Sequence, residues 1–140
     1  MPKCYQLIGV PGAGKSTLAA ALTVHLFPNC LWLNADAVRE KYNDWDFSHE
    51  GRIRQSKRMR ELADAMTECD YVICDFVAPL VEMRNNFKAD WTIWVDTIEE
   101  SRYEDTNKMF VEPEIYDFRI TEQWAEKWAP WISDHIVDNR

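Results

Sequence analysis

Residues 9–17 read Gly9-Val10-Pro11-Gly12-Ala13-Gly14-Lys15-Ser16-Thr17. This segment fits the pattern G-x-x-x-x-G-K-[ST], in which Gly14 is the second fixed glycine and Lys15 is the lysine. An apolar run at residues 4–8 precedes it and a helix-forming run at residues 17–26 follows it, so it lies between a strand and a helix, as the pattern requires. The sequence therefore predicts a phosphate-binding loop.

The residue types of this loop suit the binding of a nucleoside triphosphate by main-chain amides. Glycines permit a close backbone approach in a concave turn, and the following helix N-terminus adds unpaired N–H groups. Lys15 is predicted to reach the β and γ phosphates of ATP, Ser16 to offer its hydroxyl to Mg²⁺, and Thr17 to donate to the α phosphate. The predicted ATP-binding residues are Gly9, Pro11, Gly12, Ala13, Gly14, Lys15, Ser16 and Thr17.

Length and composition predict one globular domain over residues 1–140. The 140 residues are 46% hydrophobic and 29% charged, enough for a single core. Because no apolar run approaches the roughly 20 residues of a membrane span and no signal-like block opens the chain, a cytoplasmic protein without a membrane partner is expected.

The formal net charge of −8 argues against duplex nucleic acid as a partner but is compatible with a small anionic substrate. The cysteines and histidines fit no zinc or redox spacing.

Three acidic residues follow apolar runs that are typical of buried strands. Asp36 comes just after residues 30–33, Asp75 directly after residues 71–74, and Asp96 directly after residues 91–95. In open parallel sheets ligands bind at the carboxyl ends of the strands, so Asp36 should face the same crevice as the phosphate loop. Asp75 and Asp96 are both candidates for the acid that contacts Mg²⁺ at a strand end.

The remaining patterns predict the other elements of a three-layer α/β domain. They favour helices at residues 37–41 and 49–69, one that Pro79 opens, one from Ile98 to Tyr103, and a last helix capped by Thr121. On that last helix Trp124, Trp128, Ile132 and Ile136 should form the buried stripe. With a fifth, edge strand at residues 117–120, we expect a five-stranded parallel sheet, with the loop-bearing strand central and helices on both faces.

Two regions of charge stand out. Five cations of the helix 49–69 lie within nine positions, and Arg54, Lys57 and Arg60 are expected to pair with Glu50, Glu61 and Asp64 on a solvated face. The weakly periodic stretch 104–116 is a candidate lid over the phosphates, although a surface loop would look the same. Arg102 and Lys108 are the cations that could neutralise charge on the transferring phosphoryl group.

Beyond the phosphate loop, three further segments make the chain resemble small P-loop kinases, and most closely adenylylsulfate kinases. They are Asp36-Ala37-Val38-Arg39, Phe47-Ser48 with Arg52 four residues on, and Phe76-Val77-Ala78-Pro79, and Val95-Asp96-Thr97 matches as well. The resemblance covers about residues 4–96. It implies that Asp36 activates the attacking hydroxyl, that Arg39 and Arg52 hold the anionic end of the substrate, and that Phe47 packs on its adenine. It also implies that Asp75, rather than Asp96, serves Mg²⁺.

The sequence departs from the family at several positions. The segment Asn34-Ala35-Asp36-Ala37 stands for Asp-Gly-Asp-Asn, Gly51 replaces an acid, Gln55 stands where the family has a substrate asparagine, and the long basic lid is missing. The chain is also similar to the kinase half of bacteriophage-type polynucleotide kinases, through Asn34, Asp36, Arg39 and Asp75. That similarity keeps a nucleoside or a single-stranded 5′ end open as the acceptor.

The expected function is transfer of the γ-phosphoryl group of ATP to a hydroxyl of a small nucleotide-like acceptor, with Mg²⁺. Lys15, Asp36, Asp75 and Arg102 are the predicted catalytic residues, and Ser16 and Asp75 the predicted metal ligands. Asp36, Arg39, Phe47, Arg52, Gln55 and Phe76 are the predicted acceptor-binding residues. The alternative from another class is a non-catalytic nucleotide-binding switch. Pairing of the domain with itself and the contacts to the adenine of ATP are left open.

Overall fold

The computed structural model describes residues 3–10, 12–98 and 108–138. Within these ranges the chain forms five strands and five helices. They are β1 (Lys3–Ile8), α1 (Lys15–Leu26), β2 (Cys30–Asn34), α2 (Ala35–Tyr42), α3 (His49–Asp64), β3 (Tyr71–Asp75), α4 (Val81–Phe87), β4 (Trp91–Val95), β5 (Phe118–Ile120) and α5 (Ala125–Asp138).

The five strands form one parallel sheet in the order β2-β3-β1-β4-β5. The strand that leads into the phosphate loop is therefore central. The register places Asp75 beside Leu7 of β1 and beside Asn34 of β2, so the carboxyl ends of these three strands are level. The predicted α/β fold with a five-stranded parallel sheet is confirmed.

Helices cover both faces of the sheet, because alternate strand residues point to opposite sides. Tyr5 and Leu7 of β1 belong to a core that includes buried residues of α1 and α5. Cys4 and Ile8, which alternate with them, belong to a second core that includes buried residues of α3 and α4. The result is the expected three-layer arrangement. Among the described residues, no helix combines the length and the apolar character needed to cross a bilayer.

Helix α3 ends at Asp64, five residues before the predicted end at Cys69. The helix periodicity continues in the sequence, but the chain has to turn to enter β3 beside the end of α1. The backbone N–H groups of Asp70 and Tyr71 both donate to the carbonyl oxygen of Asn29, each at 3.0 Å. The residues between the end of α3 and this contact form turns that lead the chain into β3.

The last helix begins at Ala125, so Thr121 is not its cap. Trp124, which was predicted to lie on the buried stripe, precedes the helix and is 52% exposed, whereas Ile132 and Ile136 are fully buried as expected. The residues before Ala125 are used instead to contact the phosphate loop, as described below. Helix α4 likewise begins at Val81, two residues after Pro79.

Candidate active site

The phosphate loop connects β1 to α1 and passes close to the end of β4. A side chain at Gly9 would place its Cβ 2.5 Å from the carbonyl oxygen of Val95, a distance that no side chain tolerates. Gly14, at the N-cap of α1, has φ 98°, in the left-handed region that glycine adopts readily. These constraints explain why glycines occupy the two positions. Pro11, predicted to contact ATP, lies outside the described residues.

Lys15 is 8% exposed and folds back over the loop, where its Nζ donates a hydrogen bond of 3.2 Å to the carbonyl oxygen of Val10. Burial lowers the pKa of this ammonium group, and the carboxylates of Asp75 and Asp36 act in the opposite direction. A desolvated ammonium group beside a loop of main-chain amides favours an anionic ligand. The geometry therefore suits the predicted contact with phosphates.

Side chains from the phosphate loop and from the ends of β2 and β3 meet close to Lys15. The Ser16 hydroxyl donates to Oδ2 of Asp75 at 2.8 Å, and the Asn34 side-chain amide donates to the same oxygen at 2.9 Å. The Asn34 amide also lies 3.3 Å from the Ser16 hydroxyl oxygen. Asp75 is buried, at 3% exposure, so its carboxylate depends on these donors. We call Ser16, Asn34 and Asp75 the polar corner.

Asp96, the other strand-end acid, has a different neighbour. Its Oδ2 accepts hydrogen bonds from the Arg119 guanidinium at 2.6 and 3.0 Å, and that guanidinium lies 4.6 Å from the centre of the Trp94 ring. Since β3 and β4 both flank β1, strand adjacency alone does not separate the two candidates. Contact with Ser16 does, and it favours Asp75.

The polar corner has the donor atoms that Mg²⁺ prefers, a carboxylate and a hydroxyl oxygen. Among the described residues, no group of three or more histidine, cysteine, aspartate or glutamate side chains could hold a metal ion by itself. Mg²⁺ usually binds one or two protein carboxylates and takes its other ligands from water and substrate phosphates. The residues present fit such an ion.

Helix α2 begins at the polar corner and carries two of the predicted acceptor residues, Asp36 and Arg39. Asn34 caps this helix, since its side-chain oxygen accepts a hydrogen bond from the backbone N–H of Ala37 at 3.0 Å. Asp36 lies exposed in the first turn, and Arg39 follows one turn later with 5% exposure. Burial lowers the pKa of Arg39, which nearby Asp44 opposes.

The structure brings three of the predicted acceptor residues together. The guanidinium carbon of Arg39 lies 4.3 Å from the centre of the Phe47 ring, and that of Arg52 lies 5.5 Å from it. Nη1 of Arg39 also donates to the carbonyl oxygens of Asp44 and Asp46, at 3.0 and 3.2 Å. Arg52 donates through Nε to the carbonyl oxygen of Phe47 at 2.9 Å.

The other predicted site residues have different surroundings. Gln55 is buried and donates to the carbonyl oxygen of Ala35 at 3.0 Å, which ties α3 to α2. Phe76, expected to contact the acceptor, is 5% exposed and packs edge-on against Phe87 in the second core. The Phe76 ring is therefore part of the core between the sheet and α4.

The predicted lid region is only partly described. Arg102 and residues 104–107 lie outside the described residues, and Lys108 is exposed. Beyond them, the backbone N–H of Val111 donates to the carbonyl oxygen of Pro79 at 2.7 Å. Arg84 joins the two segments, because it donates to the carbonyl oxygen of Ala78, in the loop after β3, and to that of Val111. Burial lowers the pKa of Arg84 to about 10. The stretch after residue 110 is therefore anchored to the loop that follows β3.

Gln123 is a site residue that sequence reasoning missed. Its Nε2 donates to the carbonyl oxygen of Gly12 and to Oγ1 of Thr97, both at 3.1 Å, and the Thr97 hydroxyl donates to the carbonyl oxygen of Ala13 at 2.6 Å. These side chains border a cavity of about 130 Å³ between the phosphate loop and the start of α5. The cavity is lined by Ala13, Gly14, Thr17, Leu18, Val95, Thr97, Ile120, Glu122, Gln123, Trp124, Ala125 and Trp128.

On the cationic face of α3, Arg60 binds Asp64 as expected, whereas Arg54 is paired differently. Arg54 binds the carboxylates of Asp44 and Asp46, at 2.8 to 3.1 Å, and Arg58 also binds Asp44. Hydrogen bonds from Arg54 hold the pKa of Asp44 well below its usual range. Hydrogen bonds from Ser48 and then from Arg54 lower the pKa of Asp46 to about 2. The pairing of Arg54 with Glu50 or Glu61 was therefore the wrong expectation.

The cationic face of α3 also borders a larger cavity, of about 610 Å³. It is lined by Tyr42, His49, Glu50, Ile53, Arg54, Lys57, Arg58, Glu61 and Glu82. None of these residues belongs to the phosphate loop or the polar corner. The lining carries charges of both signs, and we assign it no part in the site.

Comparison with known proteins identifies similar sequences. The chain matches the family model for adenylylsulphate kinase over residues 1–108. The adenylyl-sulfate kinase of Shewanella baltica (strain OS195) is 34% identical over 97 residues, which cover 66% of this chain and 47% of that protein. The chain thus spans about half the length of the curated relatives it matches.

Solved structures share the fold over nearly the whole chain. The APS kinase of Mycobacterium tuberculosis, in complex with AMPPNP and APS, superimposes with a TM-score of 0.78 at 18% identity and covers 97% of this chain and 98% of its own. Shikimate kinase from Aquifex aeolicus superimposes with a TM-score of 0.68 at 18% identity, with 97% of each chain covered. At these identities the likeness is one of fold.

Proposed function

The chain belongs to the adenylylsulphate kinase family, and on that premise we propose that it transfers the γ-phosphoryl group of ATP to a hydroxyl of adenylylsulfate. The observation that carries the proposal is the polar corner, in which the phosphate-loop hydroxyl of Ser16 meets the strand-end carboxylate of Asp75 at 2.8 Å. A turn that only connected a strand to a helix would need neither this carboxylate nor a buried lysine beside it. Together they form a site for a metal-bound polyphosphate.

The polyphosphate of ATP would lie along the phosphate loop, in contact with its N–H groups and the N-terminus of α1. Lys15 would exchange its hydrogen bond to the Val10 carbonyl for contacts to the β and γ phosphates. That exchange compensates the cost of burying the ammonium group. Lys15 would also stabilise the negative charge that develops as the bond between the γ phosphorus and the bridging oxygen breaks and ADP leaves.

Mg²⁺ would be held by the Ser16 hydroxyl and, directly or through water, by Asp75. When bound, such an ion neutralises phosphate charge and orients the β and γ phosphates. Asn34 keeps the Asp75 carboxylate in place through its 2.9 Å hydrogen bond. It also fixes the start of α2, so a single side chain sets the position of the metal-facing carboxylate and of Asp36.

Asp36 would accept the proton of the acceptor hydroxyl as its oxygen forms the new bond to phosphorus. Its exposed position in the first turn of α2, next to the polar corner, supports this role. Arg39 and Arg52 would hold the anionic end of the acceptor, and Phe47 would pack on its base. The convergence of both guanidinium groups on the Phe47 ring supports this placement.

The base of ATP would occupy the 130 Å³ cavity beside the phosphate loop. Its walls combine apolar side chains with the polar side chains of Thr17, Thr97, Glu122 and Gln123, and the half-exposed Trp124 lies at its border. A pocket with apolar walls and several polar groups is a usual environment for a bound small molecule.

The experiment is transfer of label from γ-labelled ATP to a panel of acceptors: adenylylsulfate, adenosine, a 5′-hydroxyl oligonucleotide and shikimate. We expect labelling of adenylylsulfate alone. Labelling of the oligonucleotide alone would replace the proposal with a 5′-hydroxyl kinase, and ATP binding without transfer to any acceptor would favour the non-catalytic alternative.

Asp36→Asn tests the catalytic assignment within the same assay. We expect ATP affinity to be retained and turnover to fall by about 10²- to 10⁴-fold, the usual contribution of a general base. Glu40→Gln is the matched control, because Glu40 is an exposed acid one turn further along the same helix. Equal turnover of the two variants would remove Asp36 from its role.

A further inference from the structure

The loop between α2 and α3 holds two large aromatic side chains at the surface. Trp45 is 50% exposed and Phe47 is 49% exposed. Their ring centres are 6.4 Å apart and the ring planes are tilted by 42°, so the two rings form an open corner. Neighbouring exposed aromatic rings often mark a binding surface, because such apolar area is otherwise buried on folding.

This loop is held rigidly, mainly through its backbone. Arg39 binds the carbonyl oxygens of Asp44 and Asp46, and Arg52 binds that of Phe47. Arg54 binds both loop carboxylates.

The packing of α3 against the loop is equally close. A methyl group at Gly51 would overlap the carbonyl oxygen of Asp46, so the backbone of α3 touches the loop directly. The anchoring and this contact fix the loop, while the two aromatic rings remain outside. An aromatic surface held in this way loses little entropy when a ligand binds.

The corner lies at the acceptor side of the candidate active site. Arg39, whose guanidinium stacks on Phe47, is three residues after Asp36 on α2, which corresponds to about 4.5 Å of helix rise. A ligand whose hydroxyl reaches Asp36 and whose anionic group contacts Arg39 therefore comes close to the Phe47 ring, which lies 4.3 Å from that guanidinium. Trp45 extends the aromatic surface at that end.

We propose that Trp45 is a second base-contacting residue of the acceptor site, so that the base of the acceptor lies in the corner between the Trp45 and Phe47 rings. This inference rests on the proposed function and narrows it. Two rings at an angle contact a purine over one face and one edge, and they contact a smaller pyrimidine less. An acceptor without a base would use neither ring. The pair of rings therefore favours a purine over a pyrimidine as the base of the acceptor.

Binding is measured by calorimetry with protein saturated with ADP and Mg²⁺, so that the donor site is filled, and with adenylylsulfate as the titrant. We expect Trp45→Leu to weaken adenylylsulfate binding by about 10-fold, within the range found for base stacking on aromatic side chains. Trp45→Phe should restore most of the affinity, and uridine 5′-monophosphate should bind the wild type more weakly than adenosine 5′-monophosphate does.

Two controls show whether the Trp45 substitutions act only at the acceptor site or on the protein in general. The affinity for ADP should be unchanged in both Trp45 variants. Trp131→Leu, which removes a 46% exposed tryptophan on α5, should leave adenylylsulfate binding unchanged. Equal adenylylsulfate affinity of wild type and Trp45→Leu would overturn the proposal. A parallel loss of ADP affinity, or no binding of any purine nucleotide to the ADP-bound wild type, would overturn it as well.

Failure of the proposed function gives a different pattern. If the wild type transfers no phosphoryl group but its adenylylsulfate affinity depends on Trp45, the inference holds and the kinase assignment fails. If transfer to adenylylsulfate occurs and Trp45→Leu changes neither its affinity nor its KM, the inference alone fails.

Discussion

The side-chain amide of Asn34 donates a 2.9 Å hydrogen bond to Oδ2 of Asp75, across two neighbouring strands whose ends are in register. The oxygen of the same amide accepts the backbone N–H of Ala37 and so caps α2. One side chain thus connects the carboxylate that faces the phosphate loop with the helix that carries Asp36. The spacing between the donor and acceptor halves of the site depends on it.

Replacing Asn34 should therefore affect stability and transfer together. We expect Asn34→Ala to lower the free energy of unfolding by about 1 to 2 kcal/mol, because it removes a helix cap and leaves the buried Asp75 carboxylate with one donor fewer. Transfer from ATP should fall as well, since both Asp75 and α2 lose their common anchor. Urea denaturation and the labelled-ATP assay measure the two effects.

Asn34→Asp separates the two functions of this residue. An aspartate, the residue of the family pattern at this position, keeps the cap, but in this chain it removes the N–H donor to Asp75 and places a negative charge beside that carboxylate. We expect its transfer activity to fall at least as far as that of Asn34→Ala. If Asn34→Asp were as active as wild type, the hydrogen bond to Asp75 would have no part in positioning the site.

The two strand-end acids are distinguished by paired substitutions. Asp75→Asn should lower transfer by at least about 10- to 100-fold and raise the Mg²⁺ concentration needed for half-maximal activity, because the carboxylate next to Ser16 is lost. Asp96→Asn breaks only the exposed pair with Arg119 and should leave the Mg²⁺ requirement unchanged. Steady-state kinetics over a Mg²⁺ series provide the measurement. If Asp96→Asn raised the Mg²⁺ requirement and Asp75→Asn did not, the metal would be assigned to Asp96.

Much of this site could be predicted because its signals are local. The pattern of residues 9–17 contains the whole phosphate loop. The apolar runs before the two acids place Asp75 at the end of β3 and Asp36 just beyond the end of β2. Parallel sheets bring the carboxyl ends of their strands to one edge, so the meeting of Ser16 with Asp75 follows from the fold class.

The contacts that were missed join distant parts of the chain. Gln123 reaches the Gly12 carbonyl across 111 residues, and no local pattern marks it. Arg54 has acidic neighbours on its own helix, which the spacing rules favour, but the preceding loop folds back and offers two carboxylates at better geometry. Phe76 matches a family segment, but that match gives no sign that its ring packs against Phe87 of α4.

For Gly51→Ala, helix propensity and the tertiary contact with the loop change the free energy of unfolding in opposite directions. In a helix interior this change normally stabilises by about 1 kcal/mol. Here the added methyl group would overlap the Asp46 carbonyl, so we expect a loss of about 1 to 3 kcal/mol instead. The KM for the acceptor should rise while the KM for ATP stays constant, because the displaced loop carries Phe47.

Lys57→Ala, at an exposed position of the same helix, is the matched control for this substitution and should change the free energy of unfolding by less than about 0.5 kcal/mol. A stabilised Gly51→Ala protein would mean that the loop yields to the methyl group without cost.

The ion pairs of Arg54 predict a specific dependence of stability on pH. The pKa of Asp46 is lowered to about 2 and that of Asp44 is lowered further, so both carboxylates stabilise the fold above their unfolded pKa of about 3.9. That contribution is lost as the pH falls through the folded-state values. Arg54→Gln removes part of it, because Ser48 continues to hold Asp46.

We therefore expect Arg54→Gln to be less stable than wild type at pH 7, with a difference that stays constant down to about pH 5 and narrows as the pH falls further, closing fully only below about pH 2 because the folded-state pKa of Asp44 is lower than that of Asp46. Since the Arg54 side chain is largely exposed, added salt should narrow the difference at pH 7. Urea denaturation of both proteins over this pH range measures it, and Lys57→Gln on the same helix should show no such difference. If the gap between wild type and Arg54→Gln did not narrow between about pH 5 and pH 2, Arg54 would stabilise the loop by packing, and the charges of Asp44 and Asp46 would not be what holds Trp45 and Phe47 in place.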